Sequence, residues 1–197
     1  MIFNFNSGIT YAIGDESPFT KLTTVQSVVG GALPTINGTG YINIKRVTGS
    51  NTVDELYVYI DGASTAFPIS STKQTGIAGG YYKFYFQKFI RFGNGASNDS
   101  YSYQTLLSDK PIADKYTITQ GGIYQETGQI TFNGKGKVLL SVGSSSVNYY
   151  YSVDGGSETG VTFVGGQYME YMFNESFKIR KDTSTIALYY IVYLEKE

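Results

Sequence analysis

The feature that most constrains this chain is an internal repeat, in which four sequence blocks occur twice and in the same order. Such a repeat indicates one structural unit present in two copies. The spacing between partners differs from block to block, so insertions and deletions fall between the blocks, where loops tolerate them. The matched pairs are Ile36–Ile44 with Phe132–Leu140, Tyr57–Gly62 with Tyr150–Gly155, Gly79–Tyr82 with Gly165–Tyr168, and Tyr101–Leu107 with Leu188–Leu194.

The blocks have the two-residue period of β-strands. Leu56, Val58 and Ile60 alternate with two tyrosines and an aspartate. Strand residues alternate in this way because successive side chains point to opposite faces of the sheet. Such runs, separated by Gly- and Asn-rich breaks, are typical of sandwiches and barrels. Gly and Asn also interrupt every candidate helix. The sequence therefore predicts an all-β chain of two tandem antiparallel β-sandwich modules, jelly-roll-like in type.

The repeat also predicts the domain organisation. Module 1 spans 20–108, a polar linker containing Pro111 spans 109–115, and module 2 spans 116–197. The segment 1–19 has no counterpart in the second copy, and we expect it to be an N-terminal arm with one short strand. Its apolar side chains would complete a sheet of its own or reach another subunit as an attachment device. They are Ile2, Phe3 and Phe5.

Composition excludes most catalytic designs. The chain of 197 residues contains neither His nor Cys, so catalytic triads, thiolate nucleophiles and His or Cys metal sites are absent. Paired carboxylates could still hydrolyse glycosides, but Asp54–Glu55 is more simply a solvated loop before a strand. Asp15–Glu16 could ligate a cation, but a single acidic pair is more simply an exposed turn. The net charge is −1 and no like-charge run occurs, so nucleic acid and anionic membranes are not expected partners. We expect a non-enzymatic protein without metal or cofactor.

Two glycine motifs recur in both copies. Asp61-Gly62 and Asp154-Gly155 follow aromatic strands, and Asp-Gly suits a type I′ hairpin turn because both residues tolerate positive φ. A catalytic or calcium-binding role for these two aspartates stays open as the alternative. Asn37–Gly40 and its counterpart precede strands and lack the Lys-Ser/Thr ending of phosphate loops. They therefore predict turns or bulges.

Tyrosine is abundant, with 19 residues, and consecutive tyrosines on a strand must point to opposite faces. An exposed Tyr offers an apolar ring and a hydroxyl, which suits protein interfaces and stacking on sugars. Ordinary core packing is the alternative for each of them. The tyrosines of the predicted interaction surface are Tyr81, Tyr82, Tyr149, Tyr151, Tyr168 and Tyr171.

The strand and turn blocks resemble modules of virion proteins of tailed bacteriophages, namely the fibre, receptor-binding and capsid-decoration proteins. The resemblance implies a virion surface protein, made in the host cytoplasm without a signal peptide. It also implies a homo-oligomer, with a trimer favoured, that contacts other virion proteins and can face a host-surface glycan. The alternative is a pair of carbohydrate-binding modules. The resemblance is carried by Ile36–Ile44, Tyr57–Gly62 and Tyr101–Leu107, and by Phe132–Leu140, Tyr150–Gly156 and Leu188–Leu194.

Overall fold

The fold consists of antiparallel strands, and the described part of the chain contains no helix. The computed structural model describes residues 2–5, 9–12, 19–22, 26–29, 34–48, 55–70, 82–94, 100–108, 113–124, 128–143, 146–164, 168–182 and 185–197. The first strands are β1 (Ile2–Phe5), β2 (Ile9–Ala12), β3 (Phe19–Leu22), β4 (Gln26–Val29), β5 (Thr35–Asn37), β6 (Gly40–Thr48), β7 (Glu55–Ile60), β8 (Phe67–Ser70), β9 (Tyr82–Phe86), β10 (Phe89–Asn94) and β11 (Ser100–Ser108). The remaining strands are β12 (Tyr116–Ile123), β13 (Gln129–Asn133), β14 (Gly136–Val142), β15 (Val147–Val153), β16 (Thr159–Phe163), β17 (Tyr168–Phe173), β18 (Ser176–Lys181) and β19 (Leu188–Glu195).

The two halves of the chain have the same strand order. In the first module, strands β3–β11, the sheets run β3-β11-β6-β9, with β4 also beside β11, and β5-β10-β7-β8. In the second module, strands β12–β19, they run β12-β19-β14-β17 and β13-β18-β15-β16. Most successive strands lie in opposite sheets of their module, as in the jelly-roll arrangement of a β-sandwich. The exceptions are β3 and β4, β7 and β8, and β15 and β16. The predicted all-β, antiparallel, jelly-roll-like fold class is confirmed.

The strand register shows which positions of the two modules are equivalent. It shifts one of the four block matches, that of Gly79–Tyr82 with Gly165–Tyr168, by one residue. Ile44 of β6 pairs with Tyr82 of β9, and Leu140 of β14 pairs with Met169 of β17. Because Ile44 and Leu140 match in the first block, Tyr82 is equivalent to Met169, one residue beyond Tyr168. That the halves are copies of one ancestral module stays a prediction.

Each module encloses a core built from the inward positions of its two sheets. In the first module Ile42 and Phe84 are fully buried between the sheets, as are Val138 and Phe177 in the second. Alternation along each strand then directs the intervening side chains away from the core. Some of these outward side chains form the contact between the two modules.

The central strands of the sheet β12-β19-β14-β17 contribute buried residues to both module cores. Val138 and Val192 belong to the core of the second module, whereas Leu139, Ile191 and Tyr193 belong to the cluster of the first. Strand β8 of the first module lies against β14 and β19. This explains why β14 is an almost continuous apolar run, since alternation is lost when both faces of a strand are covered.

Side-chain hydrogen bonds join the modules at the edge of this contact. The Gln120 amide on β12 donates to the carbonyls of Val58 at 2.8 Å and Thr65 at 2.5 Å, and its oxygen accepts from the Ile60 amide at 3.1 Å. The hydroxyl of Ser141 donates to the Pro68 carbonyl. The second module therefore completes backbone hydrogen bonding of the first, and the two pack as one body.

The arm contains two described strands, where the sequence predicted one. Strands β1 and β2 pair with each other, and Ile2 lies opposite Ala12. Strand β11 ends at Ser108 and β12 begins at Tyr116. The division into domains with the predicted limits stays a prediction. The described residues include no helix long and apolar enough to cross a membrane.

Candidate functional site

The two modules enclose an open cleft, the inter-module cleft, of about 230 Å³. It lies where the outward face of β6 and β9 meets the outward face of β14, β17 and β19. Tyrosines and lysines from both modules dominate its lining. The lining residues are Tyr41, Lys83 and Tyr85 from the first module, Lys115 from the connection, and Tyr116, Lys137, Glu170, Met172 and Tyr193 from the second.

Strand alternation places these side chains in the cleft. On β9, Phe84 is buried in the core of the first module, so its neighbours Lys83 and Tyr85 project from the opposite face. On β14, Val138 is buried in the second core, so Lys137 projects outward in the same way. Equivalent outward positions of the two modules therefore face each other across the cleft. These pairs are Tyr41 with Lys137, Lys83 with Glu170, and Tyr85 with Met172.

Four tyrosine rings form the floor of the cleft. Ring centroids lie 4.9 Å apart for Tyr41 and Tyr85, 5.3 Å for Tyr85 and Tyr116, and 5.9 Å for Tyr116 and Tyr193. The hydroxyl of Tyr193 donates to the Tyr85 carbonyl at 3.2 Å. Tyr193 and Tyr85 are buried, whereas Tyr41 and Tyr116 are half-buried. A fixed aromatic floor with two partly open rings results.

Burial keeps the two deep phenols protonated. Removal from water raises the pKa of Tyr193 well above its ordinary value of 10.0. Burial raises the pKa of Tyr85 in the same way, and repulsion from Tyr41 adds to it. Both hydroxyls are therefore neutral at physiological pH.

Three lysines surround this floor. Their Nζ atoms lie over tyrosine rings, at 5.1 Å for Lys83 on Tyr41 and at 5.4 Å for both Lys115 on Tyr116 and Lys137 on Tyr193. Such cation–π contacts hold an ammonium in place without neutralising it. The single acidic residue of the lining, Glu170, has its carboxylate 3.6 Å from Lys137. Three lysines and one glutamate therefore line the cleft.

The predicted tyrosine surface differs from this site. Tyr82 and Tyr149 are 3% and 0% exposed and lie in the two hydrophobic cores, so these two residues do not offer an interaction surface. Tyr151 and Tyr171 are half-buried and pack together with ring centroids 4.4 Å apart. The hydroxyls of Tyr149 and Tyr171 share a hydrogen bond of 2.5 Å. Tyr81 and the side chain of Tyr168 lie outside the described residues.

The Asp-Gly pairs lie in turns, with positive φ at all four residues. The angles are 51° and 88° for Asp61 and Gly62, and 50° and 72° for Asp154 and Gly155. Both carboxylates accept hydrogen bonds from backbone amides of a neighbouring turn. The residues that the structure describes contain no group of three acidic side chains able to hold a metal ion.

The remaining candidates lie wholly or partly outside the described residues. Ile2, Phe3 and Phe5 lie on β1, but the structure describes only their backbone, so the attachment role stays a prediction. Asp15, Glu16 and Asp54 are outside the described residues, and Glu55 is described in its backbone alone.

A second depression lies on the outward face of the sheet β13-β18-β15-β16. The guanidinium of Arg180 lies 3.9 Å from the Tyr150 ring centroid and forms an ion pair with Glu158. Its volume is about 30 Å³, which is room for a water molecule and not for a sugar ring. The inter-module cleft is therefore the stronger candidate site.

One sequence feature indicated which strand face the cleft residues occupy. Lys83 stands between buried aromatics on β9, and a lysine inside such a strand marks the face that points away from the core. Nothing local shows that a second module covers that face, because Lys137 and Tyr193 are distant in sequence and meet it only in the folded chain.

Comparison with known proteins found similarity at the level of fold only. No protein-family model matches the chain. No curated protein matches it in sequence. Its structural neighbours include cupin-type barrel proteins and viral capsid proteins.

Three solved structures illustrate this range. AerE from Microcystis aeruginosa is 13% identical with a TM-score of 0.37, covering 87% of this chain and 86% of that one. A cupin 2 conserved barrel domain protein from Leptotrichia buccalis is 12% identical with a TM-score of 0.37, covering 100% and 96%. The major capsid protein P2 of bacteriophage PM2 is 8% identical with a TM-score of 0.31, covering 86% and 96%. Similarities this weak say nothing about what the chain binds or does.

Proposed function

We propose that this chain is a non-enzymatic structural protein of a tailed-phage particle, and that it binds a saccharide of the host surface in the inter-module cleft. The observation that carries the binding role is the floor of four tyrosine rings with two of them partly open. The virion setting is supported by the resemblance of the strand and turn blocks to phage virion modules. The attachment arm and an oligomeric state belong to the same proposal.

The cleft has the chemistry that sugar recognition requires. The face of a sugar ring is apolar and packs on an aromatic face, while its hydroxyls need fixed donors and acceptors. Tyr41 and Tyr116 supply faces and hydroxyls at once. The volume of about 230 Å³ lies just below the ~300 Å³ at which sites for drug-sized ligands begin, so it suits about one ring.

Binding is tested with the purified, labelled chain on an array of bacterial cell-wall glycans and on intact bacterial cells. Tyr116→Ala should weaken binding by about tenfold, the loss of ~1.4 kcal/mol of stacking. Tyr124→Ala is the matched control, since Tyr124 is 56% exposed and lies outside the cleft. A folded chain that binds no glycan and no cell, or equal binding by both variants, would refute the saccharide role.

The second candidate function is a free-standing pair of carbohydrate-binding modules, and the same cleft favours it. The two functions differ in whether the chain belongs to a particle. An antibody against the chain should label purified virions, and light scattering should give a homo-oligomer, if the protein is structural. A monomer absent from virions that still binds glycans would support the free-standing pair.

A further inference from the structure

Strand β17 lies at an edge of the sheet β12-β19-β14-β17, and within the described residues it pairs with β14 alone. Every second residue of an edge strand directs its N–H and C=O away from the sheet, where another strand can pair with them. Natural edges are commonly protected by Lys, Pro or a bulge. The sequence of β17, Tyr-Met-Glu-Tyr-Met-Phe, contains neither Lys nor Pro, and its register with β14 is unbroken. It is therefore an edge without these protections.

The equivalent edge of the first module is covered by the second module. Tyr85 on β9 is 4% exposed, because it packs against Tyr116 and Tyr193. Met172 occupies the equivalent position on β17, and it is 63% exposed. The same outward position is thus closed in one module and open in the other.

The neighbouring edge strand of the other sheet differs in the same way. On β8, Phe67, Pro68 and Ile69 are buried, and the strand lies against β14 and β19. Its equivalent by sheet order is β16, where Phe163 is the single buried residue of five. The side of the sandwich that is covered in the first module is therefore open at β16 and β17 of the second.

The covering used inside the chain is not available between copies. The β8–β9 edge lies against an outward sheet face that is apolar at Leu139 and Ile191. The equivalent face of the first module has Asn43 and Gln104 at these positions, and both are already buried within the chain. A second copy therefore has no equivalent open face to place on β17, which leaves pairing along the strand edge.

We infer that β17 is the contact between two copies of this chain, which pair antiparallel along this strand about a two-fold axis. The inference gives the oligomer of the proposed function its interface and rests on that part of it. A second copy fits because two identical edges protect each other, whereas a strand from another protein would leave its own outer edge exposed. A two-fold contact closes after two copies, so the geometry favours a dimer over the trimer that the resemblance implied.

Charge selects the register of the paired strands. Opposite residues of an antiparallel pair share a face of the sheet, so outward residues meet outward residues. The registers with the longest overlap place Glu170 opposite either Glu170 or Met172 of the second copy. Like charges directly opposite are destabilising, so the register with Met172 is favoured. Both inter-module clefts then open on the same side of the joined sheet, where one dimer could bind two saccharide units.

Sedimentation velocity of the full chain over a concentration series tests the interface. The wild type should be a dimer, and Met172→Glu should weaken dimerisation about tenfold or more, because it places a carboxylate opposite Glu170 twice in each dimer. Met172→Lys should weaken it much less, since its ammonium would face that carboxylate. Tyr124→Glu is the control, because Tyr124 is 56% exposed and follows β12 at the opposite edge of the same sheet.

Cross-linking tests the register, and the chain suits it because it contains no Cys. The double variant Glu170→Cys with Met172→Cys places thiols directly opposite each other across the axis. Oxidised glutathione should then produce a disulfide-linked dimer, seen on a non-reducing denaturing gel. Either single variant should give about fivefold less, because its two thiols are diagonal neighbours at about 7–8 Å, beyond the usual reach of a disulfide.

The possible failures can be told apart when circular dichroism shows that each variant is folded. A wild type that is monomeric at every concentration would overturn the inference, and glycan binding by that monomer would leave the saccharide role standing. An oligomer that responds equally to Met172→Glu and Tyr124→Glu, and that does not cross-link, would overturn β17 as the contact and leave an oligomer built on another surface. Equal weakening by Met172→Glu and Met172→Lys would overturn the register.

Discussion

At the scale of single residues, the repeated aspartates act as structural caps. The Asp61 carboxylate accepts hydrogen bonds from three consecutive backbone amides of the β9–β10 turn, at 2.7 to 3.1 Å. The amides belong to Gln87, Lys88 and Phe89. Asp154 makes the equivalent bonds in the second module. A carboxylate occupied in this way has little capacity left for a proton transfer or a cation, which argues against the catalytic and calcium alternatives.

Replacing Asp61 by Asn should destabilise the chain through the lost carboxylate alone. Asn tolerates positive φ as Asp does, so the turn is kept, but an amide offers one acceptor oxygen and no charge. We expect the free energy of unfolding to fall by about 1–2 kcal/mol in urea denaturation. The control is Asp114→Asn, which removes an exposed ion pair and should change stability by about 0.5 kcal/mol or less. Equal effects of the two substitutions would contradict the capping role.

The cap in the second module should also make stability depend on pH. Hydrogen bonds from the amides of Glu175 and Ser176 lower the pKa of Asp154 below its ordinary value of 3.8. A lowered folded-state pKa stabilises the fold above the ordinary value, and that contribution is lost as pH falls through the folded pKa. The stability difference between the wild type and Asp154→Asn should therefore be constant near neutral pH and shrink below pH 3.8. A difference that grows on acidification would contradict this assignment, and urea unfolding from pH 7 downward measures it.

At the scale of elements, a pair of glycines lies at the start of strand β6 in the first module and of the equivalent strand β14 in the second. Gly38 and Gly134 have φ of 120° and 114°, values that side chains with a Cβ atom rarely adopt. Gly40 and Gly136 have another role. A Cβ atom on Gly136 would overlap the carbonyl oxygen of Tyr193. The motif apolar-Asn-Gly-x-Gly therefore combines a turn with a close strand approach, as the bulge-or-turn interpretation anticipated.

Gly136→Ala should be costly because the atom it meets belongs to a paired backbone. The carbonyl of Tyr193 cannot withdraw without disturbing the β14–β19 ladder, and overpacking of this kind costs about 2 kcal/mol. The control is Gly155→Asn, where no atom lies within 4 Å and the positive φ suits Asn. That substitution should change thermal stability little. A Gly136→Ala variant that melts with the wild type would show that the approach is looser than the structure has it.

At the scale of the whole molecule, one face of one sheet joins the modules. The second module has Leu139 and Ile191 where the first has Asn43 and Gln104, at equivalent positions of equivalent strands. Apolar residues at these outward positions allow the β12-β19-β14-β17 sheet to pack on the first module. At these two positions the second module therefore has an apolar face where the first module has a polar one.

Leu139→Ala should weaken this interface more than the second module itself. Leu139 is fully buried in the cluster of the first module, and its truncation should cost about 2–4 kcal/mol. Calorimetry should then resolve two transitions in place of a single cooperative one, because each module keeps its own core. Val138→Ala is the comparison, since Val138 belongs to the second core and should lower that module's transition. A single transition shared by both variants would mean that the modules do not unfold separately.

Much of the fold was accessible from local sequence signals. The two-residue period of Leu56, Val58 and Ile60, with Asp-Gly turns after it, predicts strands and hairpin turns because both depend on neighbouring residues only. The tyrosine surface was the weaker prediction. A tyrosine such as Tyr82 or Tyr149 can lie either on a surface or in a core, so its residue type does not decide between them. Alternation alone does not say which face of a strand is covered.

By itself the sequence therefore determined the class of fold and the turns, since local geometry and side-chain period specify them. Only the tertiary structure decided where the inter-module cleft lies. Tyr41 and Lys83 become part of a cleft because Lys137 and Tyr193 meet them from a distant segment. The physical reason is that a strand has two faces, and the element that covers each face is chosen by packing between modules and not by the strand.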